Sequence, residues 1–413
     1  MSTFVPIPTA HSVKILHVAS RLSNETGGPA DYIAGLCTAL TRAGCHTTLA
    51  MLGDDIADGI MISQSYGVQV CLYRPTLDRS LYSIEMSRKL PSLICAADII
   101  HIHGLWEYPN WLSGHLARKF HKPMIISLYG VLHPRFLAKS SWKKRLAAVL
   151  FANGHLHAAA CLHATDALEA EGVRGFGLNV PVAIIPNGID CASFSARKVG
   201  KSFYDRFPTC YRKRILLFLS RINEGKGLME LVQCWGQLAE FFPDWQLVIA
   251  GPDEQGYINL VEQAADRCHV VERTTYLGPL YGEEKIAAFA DAHLFVLPTH
   301  GDNFGIVIAE ALAGGTPVIT TQAAPWEGLV THRCGWWVPV GIPSLLRALT
   351  TAFLLPPEEL CRMGERGRSW IQQELSWDAI AHQMLDVYLW SMGDAPQPPS
   401  ISQTSSTNHA IAT

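Results

Sequence analysis

The sequence predicts an α/β protein of two domains, each a doubly wound parallel sheet with helices on both faces, facing a central cleft. Short apolar runs alternate with amphipathic stretches along the chain, which is the pattern of βαβ units. The alternation stops in a turn-rich segment, residues 186–208, and then begins again. The length of 413 residues allows two or three domains at about 150 residues each.

The first half contains six apolar runs that are predicted strands: VKILHVA (13–19), TTLAML (47–52), VQVCLY (68–73), DIIHIH (98–103), PMIISLY (123–129) and VAIIPNG (182–188). Helices are predicted at 29–43 and 112–120. Residues 146–165 are uncharged and long enough to cross a bilayer, but they include Asn153, Gly154 and three histidines. A helix followed by a buried strand explains this stretch better.

The second half repeats the layout with five predicted strands: RILLFLS (214–220), WQLVIAG (245–251), TTYLGPL (274–280), HLFVLP (293–298) and TPVITT (316–321). Helices are predicted at 226–241, 282–290 and 305–314. The domains are therefore expected at 1–190 and 191–375. Residues 376–393 have helical periodicity, and 394–413, rich in Ser, Thr, Pro and Gln, are expected to be a disordered tail.

Composition excludes a disordered chain and gives no overall signal for nucleic acid, because 48% of residues are hydrophobic and the net charge is −3. The charge is uneven. Residues 1–190 hold 16 basic and 13 acidic side chains, a charge of +3, which leaves 17 and 23, a charge of −6, for the remainder. Residues 101–150 alone carry eight basic residues and one acidic residue, Glu107.

Cysteine usage and the N-terminus predict a cytoplasmic protein. The eleven cysteines are odd in number and form no C-x-x-C pair, and Cys95 and Cys161 lie in apolar segments. Reduced core thiols are therefore expected, rather than disulfides or metal ligands. The first residues, MSTFVPIPTAHSVK, lack the basic and apolar regions of a signal peptide.

Two loops at predicted strand ends, where open α/β sheets bind ligands, have the residues of a phosphate site. Gly27 and Gly28 precede a helix after the first strand, so backbone amides could approach an anion, although a simple turn is an equal alternative. The second loop carries Asp302, and the amides of Asn303, Phe304, Gly305 and Ile306 would begin a helix. Glu310 lies further along that helix, in the apolar run IVIAEALAG, where a buried charge needs a partner.

A third element, FLSRINEGKGLMELV, supplies positive charge. Arg221 follows a predicted strand and Lys226 comes five residues later at the start of a predicted helix. A guanidinium fork and an ammonium point charge could converge there on a diphosphate. On the first domain, His103 ends the strand DIIHIH on the same face as His101. Either an acceptor-side role or a structural role is open for His103.

Taken together, these elements resemble the retaining family-4 glycosyltransferases of the GT-B fold, also called glycosyl transferases group 1. The resemblance covers residues 13–390 and rests on S-R-x4-K at 220–226, an E-x7-E-like segment from Asp302 to Glu310, and E-A-L-A-x-G-x-P-V-I at 310–319. Four further segments resemble the sequences of bacterial enzymes that build lipopolysaccharide and exopolysaccharide. They are HIHGLW, LHATDALEAEGVRGFG, IIPNGID and TQAAPWEGLVTHRCGWWV. The resemblance also implies that the C-terminal helix returns to the first domain.

The resemblance implies a role for each matching residue. Arg221 and Lys226 would bind the donor diphosphate, Asp302 would contact the donor sugar and Glu310 the ribose hydroxyls. The remaining donor-binding residues would be Gly27, Gly28, Asn303, Phe304, Gly305, Ile306 and, near the base, Leu280. The catalytic set is therefore predicted as Arg221, Lys226, Asp302 and His103. A UDP- or GDP-sugar would be the donor, used as a co-substrate, and no cofactor is expected.

Two positions depart from the family pattern. Asp302 is one methylene shorter than the usual Glu, so the donor sugar or its orientation could differ. Tyr129-Gly130 stands where the family commonly has His-Gly; Tyr129 could still hydrogen-bond a sugar, and the nearby His133 is a second candidate for sugar or acceptor contacts. The alternative for His133 is an ordinary loop histidine.

No D-x-D spacing occurs, so no metal site is expected, and Arg221, Lys226 and helix N-termini would stabilise the leaving diphosphate. The acceptor is expected to be a glycan or lipid-linked oligosaccharide. The basic residues Arg135, Lys139, Lys143, Lys144 and Arg145 surround Phe136, Leu137 and Trp142. This segment could lie on an anionic membrane at its cytoplasmic face, or be a solvated helix face.

Other functions on the same fold are a sugar-nucleotide epimerase, a glycan phosphorylase and a non-catalytic sugar-nucleotide-binding protein. A phosphorylase needs a pyridoxal-phosphate lysine and usually a longer chain. The E-x7-E-like segment argues against an epimerase. Asp302 and Tyr129 are the residues that motivate the binding protein.

Overall fold

The computed structural model describes residues 12–22, 28–53, 66–77, 81–130, 153–195, 213–302 and 304–402, with Gln64, Tyr204, Phe207 and Cys210. The chain divides into two compact units. Unit 1 consists of residues 1–188 and 377–413, and unit 2 of residues 189–376. Both are parallel-sheet α/β units, which confirms the predicted fold class.

Unit 1 is built on an eight-stranded sheet in the order β14-β7-β6-β5-β4-β1-β2-β3. All neighbours are parallel except β14, which pairs antiparallel with β7. The strands are β1 (Lys14–Arg21), β2 (His46–Leu52), β3 (Gln69–Tyr73), β4 (Ile99–His103), β5 (Met124–Ser127), β6 (Cys161–Ala164), β7 (Val182–Ile184) and β14 (Ile401–Ser402).

Helices connect these strands as the βαβ pattern requires. Those of unit 1 are α1 (Gly28–Arg42), α2 (Ile84–Ala96), α3 (Tyr108–Lys119), α4 (Asn153–Leu156), α5 (Ala167–Gly175) and α14 (Trp377–Met392). β4, β5 and β6 are buried at every position, because both faces of the sheet are covered.

The C-terminal helix α14 belongs to unit 1 and packs on α1. The ring of Trp377 fits against Gly35 and Gly188, where an added Cβ would lie 2.1 and 2.3 Å from the nearest ring atom. Glycine is therefore required at both positions. The predicted disorder of the tail is wrong for residues 394–402, because Ile401 and Ser402 pair with Ala183 and Val182 of β7.

Unit 2 contains a six-stranded parallel sheet in the order β10-β9-β8-β11-β12-β13. The strands are β8 (Arg214–Leu219), β9 (Trp245–Ala250), β10 (Thr274–Tyr276), β11 (Leu294–Leu297), β12 (Val318–Thr321) and β13 (Gly335–Val338). The helices are α6 (Cys191–Ser195), α7 (Leu228–Leu238), α8 (Tyr257–Arg267), α9 (Gly282–Asp291), α10 (Ile306–Gly314), α11 (Gly328–Thr331), α12 (Ile342–Phe353) and α13 (Pro357–Trp370).

The two cysteines that lie in apolar segments differ in exposure. Cys161 is buried, but Cys95 is exposed on α2, so it is not the core thiol that its apolar neighbours indicated.

No helix among the described residues has the length and apolar character needed to cross a membrane.

Candidate active site

The turn that carries Lys226 is held against the loop after β11 by its backbone. Residues Glu224–Lys226 form a single 3-10 turn, and Gly227 follows in the left-handed conformation at φ +69°. A Cβ at Gly227 would lie 2.0 Å from the Pro298 carbonyl oxygen, so only glycine permits this approach. The carbonyl of Gly225 accepts from the amide of His300 at 2.9 Å. Gly227 was not among the site residues predicted from the sequence.

Docking of this turn brings Lys226 to Asp302. The Lys226 ammonium donates to Asp302 Oδ2 at 2.6 Å, with 11% and 18% of the two side chains exposed. The Asp302 amide in turn donates to the Ala323 carbonyl in the loop after β12, at 3.1 Å. Two predicted catalytic residues, 76 positions apart, therefore form one partly buried ion pair.

Helix α10 begins next to this pair, as predicted. Gly305 is its N-cap, with φ +72°, and an added Cβ would lie 3.0 Å from Ile308 Cδ1. The indole of Trp326 donates to the Phe304 carbonyl and fixes the approach to the helix. Phe304 is buried and Ile306 is exposed at the N-terminus, where helix amides are unpaired. Asn303 lies outside the described residues.

Glu310 is paired with a lysine that the sequence analysis did not identify. The ammonium of Lys285, on α9, donates to Glu310 Oε1 at 2.6 Å, and the two side chains are 26% and 17% exposed. The pairing supplies the partner that a carboxylate in an apolar helix requires. Leu280, predicted near the nucleotide base, is buried just before α9.

Arg221 follows β8 and makes a more exposed ion pair. Its guanidinium donates to Glu254 Oε1 at 2.8 Å, and the amide of Asn223 donates to Glu254 Oε2 at 2.7 Å. These interactions hold the pKa of Glu254 below its ordinary value, with the Asn223 hydrogen bond as the larger cause. Glu254 is a second partner residue that no sequence pattern indicated.

In unit 1, polar side chains line the sheet face that includes His101. Register pairs His17 with His101, His103 with Ser127, and Ser127 with His163, so all five share one face. All five are buried. His101 and His103 therefore share one face of the sheet, as the alternation along the strand predicted. The register of the adjacent strands determines which side chains lie beside them.

One chain of hydrogen bonds across this face has a defined direction. The Ile185 carbonyl can only accept, so His163 Nε2–H donates to it at 2.8 Å and His163 Nδ1 accepts from Ser127 at 2.7 Å. Ser127 Oγ then accepts from His101 Nε2–H at 2.7 Å, and His101 Nδ1 accepts from the Tyr388 hydroxyl at 2.6 Å. These directions apply to neutral rings, and burial lowers the pKa of both histidines, which keeps them neutral in this network.

A second, shorter chain includes two predicted residues. His103 Nδ1 lies 2.6 Å from the Tyr129 hydroxyl, and His103 Nε2 lies 2.9 Å from His17 Nδ1. The remaining nitrogen of His17 is buried and has no hydrogen-bond partner among the described residues. Burial lowers the pKa of His17 to about 3 and of His163 to about 4, and it holds those of His101 and His103 well below the ordinary value.

These imidazoles are also the one place in the described chain where ligand atoms lie close enough to share a metal ion. The candidate atoms of His17, His101 and His103 lie within 4.8 Å of one another. Both nitrogens of His101 and both of His103 already make hydrogen bonds, which an ion would have to replace. The donor set therefore fits a neutral hydrogen-bond network better than a metal site.

The loop after β5 is held in an unusual conformation. Tyr129 and Gly130 are consecutive left-handed residues, with φ +51° and +76°, which is uncommon for tyrosine. Buried Glu169, on α5, accepts from the amide of Gly130 and from that of Thr165 at 2.7 Å. Glu169 thereby connects the loops after β5 and β6.

Some of the predicted residues lie outside the part of the chain that the structure describes. These are Gly27, His133 and the basic segment 135–145, whereas Gly28 is described as the first residue of α1. Unit 2 therefore brings together Lys226 with Asp302, and unit 1 brings together His103 with Tyr129.

Two parallel-sheet α/β units are the architecture of the GT-B fold, which solved glycosyltransferases share. Residues 208–370 match the family model of Glycosyl transferases group 1, and residues 27–188 match that of the Glycosyl transferase 4-like domain. The chain belongs to the group 1 glycosyltransferases and is a glycosyltransferase.

Curated relatives are consistent with this family. A glycogen synthase of Mycobacterium tuberculosis is 26% identical over 317 residues, covering 73% of this chain and 70% of the relative. A phosphatidyl-myo-inositol mannosyltransferase of the same species is 29% identical over 211 residues, covering 49% and 53%.

Solved structures share the fold at low identity. A glycosyltransferase from Rickettsia africae has a TM-score of 0.76 at 14% identity, covering 94% of this chain and 100% of the other. HepE of Anabaena, solved with UDP and glucose, has a TM-score of 0.70 at 17% identity, covering 91% and 99%. WaaG, described as involved in lipopolysaccharide biosynthesis, has a TM-score of 0.63 at 14% identity, covering 91% and 99%.

Proposed function

We propose that this enzyme transfers a sugar, with retention of anomeric configuration, from a nucleotide-diphosphate donor to a glycan or lipid-linked acceptor in cell-surface polysaccharide synthesis. The observation that carries the proposal is the Lys226–Asp302 pair, at 2.6 Å beside the N-terminus of α10. A phosphate-binding cation and a sugar-binding carboxylate are thus adjacent, as the two ends of a sugar–phosphate bond require.

Each proposed donor-binding charge has a counter-charge in the described site. Arg221 pairs with Glu254, Lys226 with Asp302, and Glu310 with Lys285. The site is therefore close to neutral before the donor binds. A diphosphate would draw the Lys226 ammonium to itself, and Asp302 would then accept hydrogen bonds from sugar hydroxyls.

The proposed reaction needs no protein nucleophile. The acceptor oxygen bonds to the anomeric carbon on the face from which the diphosphate leaves, and the leaving phosphate oxygen takes the acceptor's proton. Lys226 and Arg221 would stabilise the charge that develops on the leaving group. Because these fixed cations can replace a metal, we expect transfer to be unchanged by EDTA.

The donor is proposed to be a UDP- or GDP-sugar. HepE in complex with UDP and UDP-glucose supports a UDP-sugar, whereas the mannosyltransferase relative shows that other sugars occur in this family. A role in surface polysaccharide is supported by WaaG and by the sequence strings in residues 101–190.

The acceptor is proposed to be presented at the cytoplasmic face of a membrane. The basic segment 135–145 that suggested this is outside the described residues, but α3 provides related features. Trp111, His115, Arg118 and Lys119 are exposed on it, and the rings of Trp111 and His115 are stacked with centroids 5.6 Å apart. An interfacial aromatic ring with neighbouring cations suits an anionic lipid surface.

A donor screen tests the central proposal. Thermal unfolding is measured with UDP-, GDP- and ADP-sugars, and any donor that raises Tm is then assayed for hydrolysis and transfer. Donor-dependent product with the donor's anomeric configuration is expected. Inversion would refute the retaining mechanism, and binding without hydrolysis or transfer would favour the sugar-nucleotide-binding alternative that Asp302 and Tyr129 motivated. Conversion of the donor into the epimeric sugar nucleotide would favour the epimerase.

Co-sedimentation with liposomes tests the membrane proposal separately. Binding is expected to rise with the fraction of anionic lipid and to fall with salt. Arg118→Gln with Lys119→Gln should weaken it. Binding that does not depend on anionic lipid would contradict the proposal without affecting the donor chemistry.

A further inference from the structure

We propose that Lys285 is a positioning residue of the nucleotide site: it holds the Glu310 carboxylate in a fixed orientation, and so determines the requirement for the ribose 2′-hydroxyl. The proposal rests on the proposed function, in which Glu310 receives the ribose hydroxyls. Lys285 lies on α9, outside the three motifs that match the family, whereas Glu310 lies on α10.

Glu310 lies in an apolar part of α10. Its neighbours along the helix, Ile308, Ala309, Ala311 and Leu312, are all fully buried. A partly buried carboxylate needs a cation or hydrogen-bond donors close to it. The Lys285 ammonium, 2.6 Å from Glu310 Oε1, is both a cation and a donor.

The carboxylate of Glu310 can accept more hydrogen bonds than the one from Lys285. A carboxylate has about four lone-pair sites, so Lys285 can share it with two hydroxyl donors. A vicinal diol presents two such donors and can therefore bind Glu310 while Lys285 keeps its own hydrogen bond.

The ion pair also fixes the orientation of Glu310 before the ligand binds. Hydrogen bonds to charged groups depend on geometry, and a side chain that is fixed before binding loses less conformational freedom on binding. Exposed ion pairs contribute little to holding a side chain in place, but Lys285 and Glu310 are only 26% and 17% exposed, so this pair is partly removed from water. The lysine thus fixes the Glu310 rotamer in the unliganded site.

Binding of UDP, GDP and ADP and their 2′-deoxy counterparts tests the proposal, using whichever base the wild-type protein prefers. We expect the ribonucleotide to bind about 10-fold or more tightly than its 2′-deoxy form, as for a hydrogen bond to a charged group. In Lys285→Met this ratio should fall to about 2-fold, mainly through weaker ribonucleotide binding. Lys285→Arg should largely restore it.

A double-mutant cycle distinguishes an action through Glu310 from direct contact. In a Glu310→Gln background, Lys285→Met should change neither nucleotide affinity by more than about 2-fold. Lys213→Met is the matched control, because Lys213 donates to the Pro243 carbonyl away from these residues and its loss should leave the ratio unchanged. Circular dichroism checks that each variant is folded.

Three outcomes would overturn the proposal: an unchanged ratio in Lys285→Met, an equal loss for both nucleotides, which would mean contact with phosphate or base, or a full effect in the Glu310→Gln background. Equal binding of ribo and 2′-deoxy forms by the wild-type protein would likewise overturn it, without affecting the proposed sugar transfer. Failure of the proposed function would be recognised differently, because the wild-type protein would then bind none of the diphosphates.

Discussion

The two units contain their polar groups in different ways. Unit 1 buries four neutral histidines and a serine on one face of its sheet, joined by directional hydrogen bonds. Unit 2 uses charged pairs, one in the loops after two strands and one between neighbouring helices, which stay partly exposed. A neutral network tolerates complete burial, whereas ions need either water or a close partner. The difference indicates that unit 2 is suited to a charged ligand. Such a ligand can replace one side chain of an existing ion pair as the partner of the other.

The largest expected effect concerns the ion pair that carries the proposed function. Lys226→Ala should lower the rate of sugar transfer by about 100-fold or more, because it removes a cation that stabilises the leaving diphosphate. Steady-state transfer rates on the purified protein measure this, with Lys213→Ala as the control. A folded Lys226→Ala protein with the wild-type rate would remove Lys226 from the catalytic set.

Acid should destabilise unit 1 through its buried histidines. Their pKa values are lower in the folded protein than the ordinary value, so below pH 6.5 the unfolded chain binds more protons and folding stability falls. The contribution of these neutral histidines to the free energy of unfolding is fully present above pH 6.5. It decreases as the pH falls toward the pKa of each ring in the folded protein, which is about 4 for His163 and about 3 for His17. By pH 5 His17 and His163 should each lower the free energy of unfolding by about 2 kcal/mol.

Hydrogen exchange on peptides of unit 1, corrected for the intrinsic rates at pH 7.5 and 5.0, measures this loss. His17→Phe removes one titrating ring and should reduce the pH dependence by up to one proton. If protection in unit 1 is the same at both pH values, the four rings are not neutral and buried in solution. In unit 2, burial lowers the pKa of His293, so a smaller change of the same sign is expected there.

Ser127 is the central link of the directional network, and its loss tests that network without changing charge. Ser127→Ala would leave His101 Nε2–H and His163 Nδ1 without partners in the core. We expect a loss of about 2–4 kcal/mol in the free energy of unfolding. Urea unfolding measures it, and Ser92→Ala, on the exposed side of α2, is the control. Equal stability of the two variants would show that the network contributes no stability.

The smallest effect is expected at the exposed pair of unit 2. Glu254→Gln removes the charge opposite Arg221, whose side chain is 64% exposed. Such pairs contribute about 0.2–1 kcal/mol, so Tm should change little, and the change should vanish at high salt. A loss comparable to that of Ser127→Ala would mean that Glu254 organises the β8 loop rather than only neutralising Arg221.

The sequence predicted most strands and the order of elements, because apolar runs and their periodicity are local properties. It missed β13, whose four residues are half-buried, and the pairing of Ile401 and Ser402 with β7, because a polar, proline-rich tail has no local strand signal. Strand ends were less accurate: β7 ends at Ile184, whereas the apolar run continued to Gly188.

Most candidate donor-binding residues could be selected from the sequence. The motifs that match the family place glycines, carboxylates and basic residues in a fixed order along the chain. Their partners could not. Glu254, Lys285 and Trp326 have no motif of their own, and each becomes relevant only when another loop approaches it. The roles assigned to Arg221, Asp302 and His103 remain predictions.

The sequence by itself determined the fold class, the family and the side chains available for chemistry, since these depend on local pattern and residue type. Only the tertiary structure decided which charges neutralise one another and which histidines share a network. The physical reason is that ion pairs and hydrogen bonds act over a few ångströms, and residues such as Lys226 and Asp302, or His17 and His103, reach that distance only through strand register and loop packing.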